Sequence, residues 1–217
     1  MLKLLNKEIK LSASKLSFLF ILFGVLTMTP GYPVLLSAFF ISMGIFQSFQ
    51  CSRENNDIMY SVLLPVSKKD VVKSKFIFCV FIELCGFIFI SILTLIRMTV
   101  LKDVSAYRNN ALMNTNFVYL GFILLIFGLF NIVFVRGFFK TSYYFGKPFV
   151  LFIISTFIAV ATGETLHHIP GLEILNSFGF DNLSIQCIFL SVGLLLFILL
   201  TISAYKTSVR RFEKTDF

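Results

Sequence analysis

Six apolar runs, Leu16–Pro30, Pro33–Phe49, Phe76–Ile96, Phe117–Val135, Pro148–Ala161 and Ile185–Tyr205, fill most of this chain and are separated by short polar gaps. None alternates apolar and polar positions with the period of two that a barrel strand shows. The third, fourth and sixth are about 20 residues long, enough at 1.5 Å per residue to cross a hydrocarbon core of about 30 Å. In lipid each backbone polar group needs a partner inside its own segment, so uniformly apolar runs of this kind must be helices. The pattern predicts an all-α, polytopic membrane protein with six transmembrane helices. Residues 16–217 form one transmembrane domain, because no gap is long enough to fold alone.

The gaps predict further elements. Over residues 1–15, Lys3, Lys7, Lys10 and Ser14 recur at helical spacing, while Leu2, Leu5, Ile9 and Leu16 line another face. That is an N-terminal amphipathic interfacial helix, not a frayed tail. Pro30-Gly31-Tyr32-Pro33 joins the first two runs in a tight turn. Residues 51–75 are polar from Arg53 to Asp57 and apolar from Ile58 to Leu64, and Pro65 breaks the chain. Ser67 followed by Asp70 reads as a capping box that starts the third helix, with Lys68, Lys69, Lys73 and Lys75 at its polar end. The gap 162–184 holds Leu166, Ile169, Leu172, Ile174, Leu175, Phe178 and Phe180, more apolar groups than a water-exposed loop needs. It predicts a re-entrant segment of two short helices between helices five and six, after a short fifth span.

Charge sets the orientation. Nineteen Lys and Arg against eleven Asp and Glu give a net charge of +8, and the basic residues fall into blocks. Lys3, Lys7, Lys10 and Lys15 precede the first run. Arg53, Lys68, Lys69, Lys73 and Lys75 lie in the second gap, Arg136, Lys140 and Lys147 in the fourth, and Lys206, Arg210, Arg211 and Lys214 in the tail. The remaining gaps hold only Lys102 and Arg108, with Arg97 at a helix end, against Asp103, Glu164, Glu173 and Asp181. Short loops rich in Lys and Arg stay in the cytoplasm, so both termini are expected inside, with the basic ends drawn to anionic membrane lipids. A mean hydropathy of +0.89 and the absence of a basic soluble domain exclude nucleic acid as a partner. Cys51, Cys79, Cys85 and Cys187 have neither CxxC nor metal spacing and read as small apolar fillers, as the 29 Phe read as lipid-facing bulk.

Few residues could carry chemistry. Glu83 is the one acid deep in a run, Asn131 should reach a similar depth, and Gln47 and Gln50 should lie nearer the cytoplasmic surface. A buried ionisable group must face protein or water. Two readings stay open: a polar lining of a translocation path, or a helix-packing hydrogen bond or a pair with Arg136. Arg97 should snorkel to the outer surface. Glu164, His167 and His168 fit polar closure of a helix end better than a metal site, since their order fails the zinc-protease pattern. The sequence has no GxxxxGK[ST] phosphate loop, no GxSxG elbow and no HExxH helix. The chain is therefore expected not to be an enzyme and to hold neither metal nor cofactor.

The stretch LLPVSKKDVVKSK, Leu63 to Lys75, resembles the segment between the second and third spans of ABC-2-type permeases, the membrane subunits of small bacterial ATP-binding-cassette exporters. The expected layout agrees along the whole chain. The resemblance implies a permease in the bacterial cytoplasmic membrane that dimerises with a second copy or paralogue. It implies a separate ATP-binding-cassette ATPase as partner, which binds the ATP and Mg. It also implies a coupling segment, here Arg53, Glu54, Asp57, Ile58, Met59 and Leu63, with Glu54 and Asp57 as polar contacts to the ATPase. Export of, or immunity against, amphipathic or antimicrobial peptides, or transport of lipid-like molecules, is the function implied. The alternative is the six-span substrate-binding subunit of an energy-coupling-factor importer, against which the long basic gap argues.

Overall fold

The computed structural model describes residues 7–9, 13–63, 66–141 and 144–214, and every regular element among them is helical. Helix α1 (Lys15–Leu19) starts at Ser14, whose hydroxyl accepts the Leu16 N–H at 3.2 Å. It passes directly into a 3-10 helix, Phe20–Met28. A rise of about 2.0 Å per residue in that part stretches the whole element to about 25 Å, against about 21 Å as pure α-helix. Gly31, at φ +73°, turns the chain, and α2 (Leu36–Glu54) returns antiparallel. The two lie so close at Gly44 that a Cβ there would stand 2.6 Å from the Phe20 Cβ.

A short helix, α3 (Asp57–Leu63), follows, then α4 (Lys68–Thr99). The start of α4 is as expected. The Ser67 hydroxyl accepts the Asp70 N–H at 3.1 Å and donates to the Asp70 carboxylate at 2.7 Å. After the single turn α5 (Ser105–Arg108), a continuous rod runs through α6 (Phe117–Leu129), a π-helical stretch Phe130–Val135, and α7 (Arg136–Thr141). Then come α8 (Gly146–Leu166), a 3-10 turn Glu173–Asn176, and α9 (Leu183–Glu213).

Four of these are long and apolar enough to cross a membrane: α4, the rod Phe117–Lys140, α8 and α9. The hairpin of the first two runs is not among them. Its first arm is short, and α2 carries Gln47, Gln50, Arg53 and Glu54 in its second half.

Two expectations about the far end change. The fifth helix is not short, because Thr162 and Thr165 fold their hydroxyls back onto the carbonyls of Ile158 and Ala161 and so cost the helix no unpaired polar group. Residues 167–182 hold one four-residue 3-10 turn among the described elements, where two short helices were expected. Asn114 and Asn116 explain it. Their amides donate to the carbonyls of Asn176, Leu175 and Ser177, so this backbone is satisfied by side chains rather than by its own helix.

The rod is the centre of the bundle, 72% buried over its most apolar window, against 17% for α9 and 28% for α8. Gly121 of α6 and Gly193 of α9 meet backbone to backbone; a Cβ on Gly193 would stand 2.5 Å from the Gly121 carbonyl oxygen. Phenylalanine is core as much as lipid-facing bulk. Phe49, Phe127, Phe130, Phe134, Phe138, Phe139, Phe152 and Phe212 are fully buried, and Phe46 stacks on Phe149 at 3.9 Å.

Candidate coupling site

Helix α2 ends at Glu54, and Asn56, in the left-handed region at φ +49°, reverses the chain into α3. Asparagine tolerates that conformation better than most residues. The reversal swings Asp57 inward against the head of α4.

There it joins a buried cluster of four charges. Asp57 pairs with Lys7 at 2.6 Å through one carboxylate oxygen and with Lys75 at 2.8 Å through the other. Glu8 pairs with Lys75 at 2.6 Å and with Lys7 at 3.2 Å. Three serines complete the set. Ser52 donates to Asp57 and accepts from Lys75, Ser74 reaches Glu8 at 3.4 Å, and Ser61 accepts from Lys7 at 2.5 Å. Glu8, Asp57 and Lys75 are at most 3% exposed. Two cations and two anions cancel, which is the condition for burying charge at all. Burial alone would push the Asp57 carboxyl up, but the Lys75 and Lys7 ammoniums hold it well below the usual carboxylate range. The cluster ties four segments into one body: the N-terminal stretch, the end of α2, α3 and the head of α4.

Asp57, expected as an outward polar contact, is instead buried and turned inward, and Lys75, expected at the polar end of the third helix, is its counter-ion. The outward face of the coupling segment is carried by Glu54, Tyr60 at 56% exposure and Leu63 at 82%. Arg53 is exposed, its guanidinium 5.0 Å from the centre of the Phe145 ring. The side chains of Ile58 and Met59 lie outside the described residues, as do Leu64 and Pro65 and most of the expected N-terminal helix, Lys3 and Lys10 included. Glu8 was missed by sequence reasoning. Its signal was present: it is the single acid in a basic N-terminal segment, and Lys75 follows Ser74 at the edge of an apolar run.

The structure brings two of the three deep polar residues together. The Asn131 amide donates to Glu83 at 3.0 Å and to the Thr201 hydroxyl of α9 at 3.1 Å, and both residues are buried. Asn131 sits in the π-helical stretch. Gln47 is half-buried and joins neither, and Arg136 does not pair with Glu83. Thr201 is the member that sequence reasoning did not find.

Comparison with known proteins adds the family. Residues 3–213 match the family described as ABC-2 family transporter protein. The chain belongs to the ABC-2 transporter family. No curated protein and no solved structure is significantly similar to it. In this ABC-2 membrane protein the buried charge cluster and the Glu83–Asn131 pair both involve α4, one at its polar head and one within its apolar run.

At the far end of α4 the ABC-2 protein buries Arg97, which does not snorkel. It is 4% exposed, donates to the Thr27 carbonyl at 2.5 Å and lies 4.2 Å from the Tyr107 ring centre. The Tyr107 hydroxyl donates to the Met28 carbonyl at 2.9 Å. Together they cap the stretched 3-10 helix, whose last carbonyls have no helical partner. Glu164 accepts the Met113 N–H at 2.8 Å and His167 lies 3.3 Å from the Ala111 carbonyl oxygen, so the end of α8 is closed by polar contacts to the 111–113 loop.

Proposed function

We propose that this ABC-2 protein is the membrane subunit of an ATP-driven exporter in a bacterial cytoplasmic membrane, with both termini in the cytoplasm. Two copies, or one copy and a paralogue, work with separately encoded ATP-binding-cassette ATPases that bind the ATP and Mg. Helix α3 and the preceding Arg53–Glu54 dock on the ATPase, and the first two runs act as two further spans beside the four long helices. The observation that carries this reading is the placement of α3. It displays Tyr60 and Leu63, with Glu54 exposed at the end of α2 before it, while Asp57 fastens it to Lys75 at the head of α4. A displacement of α3 by a closing ATPase is then passed to a 32-residue helix without slack.

The cargo is amphipathic, a peptide or a lipid-like molecule, matched to a membrane domain whose lipid-facing rows on α8 and α9 are almost wholly apolar. Glu83 and Asn131 are closed on each other, so a path lined by them opens only when α4 parts from the π-helical stretch of the rod.

The test is co-expression with a stand-alone ATP-binding-cassette ATPase, which this reading expects a neighbouring reading frame to encode. Co-purification of the two, with ATPase activity that rises on assembly, is the expected result. A chain that purifies alone and leaves that activity unchanged overturns the reading.

A further inference from the structure

A groove of about 450 Å³ runs along the seam between α4 and α9, open to the side of the bundle. Its walls include Lys73, Ile77, Phe81 and Leu84 of α4 and Thr201 and Tyr205 of α9. From Lys73 to Leu84 is about 16 Å along the helix. That is the depth of one leaflet's share, about 15 Å, of the hydrocarbon core. Thr201 turns its hydroxyl inward to the Asn131 amide, so the inner end of the groove presents its methyl. The groove is therefore apolar along its length and cationic at one mouth.

Lys73 is exposed and has no ion-pair partner among the described residues, while Lys75, two residues on, is buried and doubly paired. Lys69, one turn earlier on α4, and Lys206, next to Tyr205, are exposed as well.

We propose that this groove binds an acyl chain of an anionic phospholipid from the leaflet on the Lys73 side, with the lipid phosphate on the Lys73 ammonium. The charge at the mouth selects this occupant over a helix from a second copy. A second copy would bring its own basic end to that level of the membrane and leave Lys73 facing like charge. The proposal rests on the chain spanning the membrane and not on any ATPase partner.

The chain has no tryptophan, so one introduced residue reports its own surroundings. Phe81→Trp, in the groove, and Phe157→Trp, on α8, replace phenylalanines of nearly equal exposure, 50% and 51%. Each full-length variant is reconstituted in phosphatidylcholine vesicles carrying a small mole fraction of either brominated phosphatidylglycerol or brominated phosphatidylcholine. Bromine quenches tryptophan on contact. The expected result is about a fivefold preference for the anionic quencher in Phe81→Trp, the ratio one basic residue supplies near a membrane surface. Phe157→Trp should show none, and adding Lys73→Glu to Phe81→Trp should abolish the preference. Equal preference in the two reporters, meaning ordinary boundary lipid, overturns the proposal. So does absence of quenching in Phe81→Trp, meaning that protein covers the groove. Retention of the preference after Lys73→Glu overturns the headgroup assignment.

Discussion

Both ends of α4 bury a positive charge, and they do it in opposite ways. At the head, Lys75 lies between two carboxylates inside a neutral cluster of four charges. At the far end, Arg97 has no carboxylate within reach among the described residues and is held by the Thr27 carbonyl and the Tyr107 ring. Charge paired with charge is strong but depends on every member staying in place. Charge held by dipoles and a ring face has fewer partners: Arg97 makes one hydrogen bond, and its second terminal nitrogen has none among the described residues. The head of α4 is thus a junction of four segments that fails as a unit, while the far end caps a single stretched helix. A junction suits the point where, on the proposed function, force would enter the bundle. A cap suits an end that only has to hold its shape.

The sharpest way to break that contrast is Lys75→Met. It leaves Glu8 and Asp57 buried with one cation between them and should cost about 3–5 kcal/mol of stability. Adding Glu8→Gln restores neutrality, so the double variant should recover part of the loss instead of adding to it. Thermal unfolding of the purified chain in detergent reads both. Additive losses would show that Glu8 and Lys75 do not share a cluster.

Arg97→Met comes next. One charged hydrogen bond and one ring contact are lost, and the carbonyl left behind lies at a helix end, so about 1.5–3 kcal/mol is expected. The same unfolding measurement applies, and neutralising Glu164 at that end should change nothing further. Coupling between Arg97 and a carboxylate would erase the distinction between the two ends.

What sequence could see was local. The cap at Ser67 and Asp70 was legible because both partners lie within one turn, and so was the proline-glycine hairpin. The blocks of Lys and Arg were legible as blocks. The partners inside them were not, since Lys75 meets Glu8 across 67 positions and Arg97 meets Thr27 across 70. Sequence also could not sort core phenylalanine from lipid-facing phenylalanine. Lipid tails are as apolar as a protein interior, so hydropathy does not distinguish Phe134, wholly buried, from Phe157, half exposed. The direction of Asp57 turned on the left-handed Asn56, a single backbone choice that no pattern of polarity announces.

Acid should separate the junction from the rest of the protein. The folded pKa of Asp57 is depressed, so its contribution is fully present above the unfolded carboxylate value of about 3.9 and is lost as pH falls through the folded value. The stability difference between wild type and Asp57→Asn should therefore stay constant from pH 8 to pH 5 and shrink only below about pH 4. Denaturant unfolding across that range measures it. A difference that already changes between pH 7 and pH 5 would mean that Lys7 and Lys75 do not hold the carboxylate.

The smallest effect on stability is expected where the coupling reading needs the largest effect on assembly. Leu63 is 82% exposed and Glu54 is exposed as well, so neither is holding the fold. Glu54→Lys combined with Leu63→Asp should change the unfolding free energy by no more than about 0.5 kcal/mol per substitution, as surface substitutions do. A protein groove that receives an apolar edge and a carboxylate would meet an unpaired charge and a reversed one. Truncating or reversing such contacts costs about 2–5 kcal/mol when they are buried in the complex. Recovery of the partner ATPase with the tagged double variant should then drop at least tenfold, while insertion and stability stay as in wild type. Undiminished co-purification would place the docking surface elsewhere on the basic end and leave α3 as part of the junction alone.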